Sequence, residues 1–129
     1  MRNVMAAFLD VCCVLLFVAI GRSSHEEAGG LAGMATTAWP FLAGLAAGWA
    51  LLRVWRRPGP FALFPAGIGV WAVTVAVGMV LRVASGQGTA FSFIVVALTF
   101  LGLALLGWRL VARVLNSMRS SRDAFLPGR

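Results

Sequence analysis

The chain has 129 residues, of which 60% are hydrophobic and 12% are charged, and its net charge is +7 from 11 basic and 4 acidic residues. So few charges cannot cover the water-facing surface of a soluble globular domain, and so large an apolar fraction excludes an intrinsically disordered chain. All the basic residues are arginine, and they are spread between long apolar runs, which fits a soluble nucleic-acid-binding protein poorly. The composition therefore predicts an integral membrane protein.

Four apolar runs are long enough to cross a bilayer, which takes roughly 17 to 25 residues of helix. They predict an all-α, polytopic transmembrane bundle of four helices, at about 4–20, 35–52, 61–81 and 89–115.

The first run resembles a secretory signal, because Arg2 precedes a short apolar core and small residues stand near 19–21. Asp10 lies inside that core, which favours a retained helix. The second run ends at the segment 56–60, whose two prolines cannot continue a helix. We expect one transmembrane domain over 1–118 and a short, frayed cytoplasmic tail over 119–129.

The distribution of arginines predicts the orientation of the bundle. Nine arginines fall on one side of the four spans, and only Arg22 and Arg82 fall on the other. Arginine and lysine concentrate on the cytoplasmic side of membrane proteins, so both termini are expected to be cytoplasmic. The arginines on this side should contact anionic lipid headgroups. Four of these arginines, Arg53, Arg56, Arg57 and Arg113, are named here the cytoplasmic collar.

Asp10 is the one acidic residue within a predicted span. A charged side chain there costs on the order of 2.5–3.5 kcal/mol, so it is normally paired or functional. Asp10 lies roughly 9 Å into the first span, and Arg109 enters the same depth from the fourth. One interpretation is an Asp10–Arg109 ion pair that fixes helix packing. The other is a carboxylate that binds a proton or a cation.

Small and hydroxyl-bearing residues recur at helical spacing in the last three spans. Such residues let helices in lipid approach closely and form interhelical hydrogen bonds. The candidate helix-packing residues are Gly44, Gly48, Thr74, Gly78, Thr99 and Gly102.

A second polar cluster is expected on the extracytoplasmic side, from Arg22, His25, Glu26 and Arg82. Arginine suits bidentate binding of carboxylate or phosphate, so the cluster could hold an anion or a lipid headgroup. The alternative is a solvated rim of weak ion pairs. The chain has one histidine and no zinc-binding motif, so no metal and no cofactor is predicted.

Several short motifs follow one another in a fixed order. They are Asp10, Gly21-Arg22 with His25, Pro40-Phe41, Gly48-Trp49, Trp71-x-x-Thr74, Gly78-Met79, Arg82, Ser92-Phe93 and Gly107-Trp108-Arg109. This ordered set resembles an uncharacterised prokaryotic membrane-protein family, domain of unknown function 3054, over roughly residues 5–112. The resemblance implies a four-helix membrane protein without an established activity. It also suggests which polar positions to test: Asp10, Arg22, His25, Thr74, Arg82 and Arg109.

The chain shows no nucleophile–base pair, no metal motif and no phosphate-binding loop. We therefore expect a non-enzymatic protein of the bacterial inner membrane, with no catalytic residues. It would be an accessory or scaffolding subunit, or a bundle that binds a small solute or lipid. Its expected partners are anionic lipids and a larger membrane complex or further copies of the chain, and not nucleic acid.

Two other functions stay open at this point. The first is a small proton- or cation-coupled transporter that uses Asp10. The second, less favoured, is a membrane enzyme that acts on lipid headgroups, with His25 as the base and Arg22 and Arg82 as anion clamps.

Overall fold

The computed structural model describes residues 2–24, 30–56, 58–87 and 91–124, with no strand within those ranges. The side chains of 22–24, 30–31 and 123–124 lie outside this description. The described ranges form α1 (Arg2–Ser24), α2 (Gly30–Leu52), α3 (Ile68–Ala84) and α4 (Phe91–Ala124). Four helical stretches are long and apolar enough to cross a membrane, as in a multi-pass membrane protein. The predicted all-α, four-helix fold is confirmed.

The helices pack side by side as a ring. α1 contacts α2 and α4, and α3 also contacts α2 and α4, with α2 and α3 forming the most extensive pair. Consecutive helices run in opposite directions, so the start of α1, the end of α2 and the later part of α4 share one end of the bundle. We call this the N-terminal end.

The regular part of the third span begins later than the sequence predicted. α3 starts at Ile68 rather than near 61, and a short irregular turn, Leu63–Gly67, precedes it. Within this turn Phe64 is extended, with φ −132° and ψ 133°, and the Phe64–Pro65 peptide bond is cis. The residue before a proline is disfavoured in the helical region, so Pro65 keeps the regular helix from starting earlier.

The fourth helix is longer than predicted. It runs to Ala124 rather than ending near 115, because no glycine or proline stands between Trp108 and Ala124 to interrupt it. The separate tail proposed for 119–129 stays a prediction, because 125–129 lie outside the described residues.

The centre of the ring is filled by aromatic side chains from three helices. Phe17 of α1 packs edge-on against Phe41 of α2, with 5.4 Å between ring centroids. It also contacts Phe93 and Phe100 of α4, at 6.0 Å and 5.6 Å. Aromatic pairs at such separations favour tilted and edge-to-face geometry, which fixes how α1, α2 and α4 are rotated against one another.

Candidate functional site

Asp10 is the deepest acidic group that the structure describes. It lies eight residues into α1, about 12 Å along the helix from its start, and its side chain is 0% exposed. A carboxylate in such surroundings has to be compensated by donors or by a positive charge. The surrounding helices provide both.

Arg109 of α4 supplies the positive charge. Its Nη2 donates to Asp10 Oδ2 at 2.7 Å, and its Nη1 donates to Asp10 Oδ1 at 2.8 Å. The ion pair is therefore bidentate, and both side chains are 0% exposed. The structure brings together the two intramembrane charges that the sequence singled out.

Two tryptophans complete the shell around the carboxylate. Trp49 of α2 donates its indole N–H to Asp10 Oδ2 at 2.9 Å, and Trp108 of α4 donates to Asp10 Oδ1 at 2.8 Å. Each carboxylate oxygen thus accepts one guanidinium and one indole hydrogen bond. Hydrogen bonds to a charged group are the stronger class, so all four contribute to holding Asp10.

The guanidinium of Arg109 also reaches the chain between α2 and α3. Its Nε donates to the Pro60 carbonyl at 2.8 Å, and its Nη1 donates to the Leu105 carbonyl at 2.9 Å. Gly67 leaves room for this side chain, because a Cβ there would lie 3.0 Å from Arg109 Cδ and 2.8 Å from Leu106 Cδ2. The segment before α3 is therefore tied to α4 by the same residue that pairs with Asp10.

We call Asp10, Trp49, Trp108, Arg109 and the Pro60 carbonyl the Asp10 cluster. It links α1, α2, α4 and the α2–α3 connection through one buried charge pair. The Asp10 side chain is fully buried, and each of its oxygens already accepts two hydrogen bonds.

Most of the predicted helix-packing residues lie at helix contacts. A Cβ on Gly44 would stand 2.7 Å from the backbone oxygen of Thr74, so α2 and α3 approach closely at this point. Gly78 faces the ring of Phe41, and Gly48 faces Val70. Thr74 is fully buried, and its Oγ1 has no hydrogen-bond partner among the described residues.

The two residues singled out on the fourth helix are placed differently in the structure. Gly102 lies against the indole of Trp71, but Thr99 is exposed. The buried face of α4 instead follows Ala97, Leu101 and Leu105 to Arg109, at intervals of four residues. Thr99 lies midway between Ala97 and Leu101 in sequence, roughly 200° around the helix from each, so burying those two residues turns Thr99 outward.

Only part of the predicted extracytoplasmic cluster falls within the described residues. Arg82 lies at the end of α3, with its guanidinium carbon 4.2 Å from the centroid of the Phe93 ring and its Nη1 donating to Gln87 Oε1 at 3.2 Å. His25, Glu26 and the side chain of Arg22 lie outside the description. A site formed by these four residues stays a prediction.

The predicted collar lies at the N-terminal end as far as it is described. Arg53, Arg56 and Arg113 are exposed, and Arg57 is outside the described residues. Arg53 has a φ of 48°, which marks the end of α2. Within the described ranges, no group of three histidine, cysteine or acidic side chains comes together that could hold a metal ion.

Sequence reasoning missed Trp49 and Trp108 as partners of Asp10. Tryptophans near the ends of spans commonly lie at a membrane interface, where the indole N–H meets water or headgroups, so their type alone does not indicate this role. The available signal was their depth, because each stands at the same end of its span as Asp10 does.

The chain belongs to the family described as "Protein of unknown function (DUF3054)", whose model matches residues 7–112. This match confirms the resemblance seen in the ordered motifs, and it covers every member of the Asp10 cluster. Neither the curated proteins nor the solved structures contain a significant match to the chain.

Proposed function

We propose that this member of the DUF3054 family is a non-enzymatic accessory or scaffolding subunit of a larger complex in the bacterial inner membrane, with both termini in the cytoplasm. The observation that carries the proposal is the state of Asp10. Its carboxylate accepts four hydrogen bonds of 2.7 to 2.9 Å, two of them from a fully buried arginine. The intramembrane charge is engaged in holding the helices together.

A coupled transporter makes a different demand on its carboxylate. The group has to exchange a proton or a cation with its surroundings during each cycle. A proton on either oxygen of Asp10 would replace an accepted hydrogen bond with a contact between two donors. Exchange would therefore require Arg109 or a tryptophan to withdraw from the carboxylate.

The length of α4 supports a role in assembly. Its 34 residues extend about 51 Å, whereas the hydrocarbon core of a bilayer is about 30 Å thick. A helix of this length would extend beyond the hydrocarbon core as one continuous helix. Only 17% of the residues in its most apolar stretch are fully buried within the chain, a smaller share than in the other three spans. The exposed residues of this stretch can contact lipid or a partner helix.

The experiment is purification of the full chain from its native membrane in a mild detergent, followed by sizing and quantitative mass spectrometry. We expect a larger membrane protein at a fixed molar ratio in the same peak. A stable particle that contains this chain alone would contradict the proposal.

A second measurement addresses the transporter directly. Proteoliposomes with a pH-sensitive dye inside are subjected to a proton gradient, using the wild-type chain, Asp10→Asn and, as a matched control, Thr99→Val on the exposed face of α4. We expect the same proton flux for all three proteins. A wild-type flux that Thr99→Val keeps and Asp10→Asn abolishes, with helicity retained by circular dichroism, would overturn the proposal in favour of transport.

A further inference from the structure

A cavity of about 580 Å³ opens at the N-terminal end, outside the Asp10 cluster. Its walls come from the start of α1, the segment 58–62 and one face of α4. Three of the lining side chains are arginines: Arg2, Arg113 and Arg119. We call this volume the basic cavity.

The three arginines of the basic cavity have no acidic partner among the described residues. Asp10 is the acidic residue whose side chain is described, and it is paired with Arg109. Three like charges around one cavity repel one another, and that repulsion falls when an anion enters between them. The cavity is thus electrostatically suited to a negatively charged occupant.

Further contacts define the shape of the site. The Arg2 guanidinium carbon lies 4.8 Å from the centroid of the Phe61 ring, a cation–π contact that holds it at the wall. Phe61 in turn meets the ring of Trp108 edge-on, at 5.2 Å. Asn116 adds an amide to the lining, which can donate to an oxygen of a bound group.

The position of the cavity along α4 indicates where the occupant comes from. If the described helix enters the bilayer at Phe91, about 20 residues cross the hydrocarbon core. Residues 112–119 then lie at the level of the lipid headgroups. Leu110, Val111 and Leu115, which are 52%, 57% and 60% exposed, provide an apolar surface on the same stretch.

We propose that the basic cavity binds the phosphate-bearing headgroup of one anionic phospholipid. Arg113 and Arg119 contact the phosphate oxygens from α4, and Arg2 closes the site from α1. Arginine matches phosphate by bidentate hydrogen bonding. The acyl chains lie along the exposed apolar side of α4. This inference does not depend on the proposed scaffolding function.

The test is lipid retention by the purified full chain, measured by native mass spectrometry. The chain in mild detergent is titrated with phosphatidylglycerol and, separately, with phosphatidylcholine. The cavity variant is Arg113→Gln with Arg119→Gln. The matched control is Arg53→Gln with Arg56→Gln, which also removes two positive charges at the same end but none from the cavity lining.

We expect one phosphatidylglycerol per wild-type chain and on the order of 30-fold weaker retention in the cavity variant, from two arginines near the membrane surface. The control variant should retain the lipid as the wild type does. Equal losses in the two variants would overturn the proposal, because they would indicate a diffuse attraction to the whole collar. Equal retention of phosphatidylcholine would also overturn it.

A competition experiment with inorganic phosphate tests whether the cavity binds a lipid headgroup or free phosphate. We expect that millimolar inorganic phosphate leaves the bound phosphatidylglycerol in place. If inorganic phosphate displaces the lipid at that concentration, the cavity is a site for free phosphate and the lipid assignment is wrong.

Discussion

Removing one member of the Asp10–Arg109 pair should cost more free energy of unfolding per charge removed than removing both members. Asp10→Leu leaves a buried guanidinium without a counter-charge, and Arg109→Met leaves a buried carboxylate held by two indoles alone. Losing one partner of a buried ion pair costs about 3–5 kcal/mol. The double variant buries no charge. It leaves the two indole N–H groups and the Pro60 carbonyl without partners. Each of these groups costs about 1–3 kcal/mol if it stays out of contact with water.

The double variant should therefore lose less free energy of unfolding than the sum of the two single variants, by about 3 kcal/mol. The assay is reversible unfolding in mixed micelles by titration with a denaturing detergent, followed by far-ultraviolet circular dichroism. Thr99→Val serves as the control and should lie within about 0.5 kcal/mol of the wild type. If the single losses add to within about 0.5 kcal/mol, the pair does not act as a unit and the reasoning is refuted.

Two further predictions use the same unfolding assay. Gly44→Ala should lower the free energy of unfolding by about 1–3 kcal/mol, because its Cβ would stand 2.7 Å from the backbone oxygen of Thr74. Gly107→Ala, with nothing within 4 Å of the added Cβ, should instead be neutral or stabilising by up to about 1 kcal/mol. Equal changes in the free energy of unfolding for the two variants would contradict the close approach of α2 and α3. Trp108→Phe keeps an aromatic six-membered ring but removes the indole N–H that donates to Asp10, and should cost about 1.5–3 kcal/mol. That cost should shrink in an Asp10→Leu background, and an unchanged cost would place the indole outside the Asp10 cluster.

The sequence predicts the four helices well because each span is a continuous apolar run, which is a local property of the chain. Asp10 and Arg109 could be matched from their depths alone, although 99 residues separate them. Depth restricts a partner to one level of the bundle, and few charged residues lie at that level.

The sequence does not predict how each helix is rotated about its own axis, because this rotation depends on contacts with the other helices. The spacing of small residues on the fourth span predicts packing at Thr99 and Gly102, whereas the observed buried face runs through Leu101 and Leu105. The burial of Ala97 and Leu101, together with the contacts of Phe93 and Phe100 with Phe17, sets the observed rotation. Tertiary packing likewise turns Trp49 and Trp108 towards Asp10, where an aromatic-belt rule would leave them at the interface.

The arginines at the N-terminal end thus fall into two physical classes. Arg109 is buried and compensated inside the chain, whereas Arg2, Arg113 and Arg119 surround a cavity with no described acid to neutralise them. The basic cavity and the buried ion pair are connected by two aromatic residues. Phe61 lines the cavity and contacts the ring of Trp108, and Trp108 donates a hydrogen bond to Asp10. A bundle whose inner charge is fully paired gains nothing internally from further arginines. Their charge is available to a partner outside the chain, and the anionic lipid proposed above would meet both this charge and the exposed apolar side of α4.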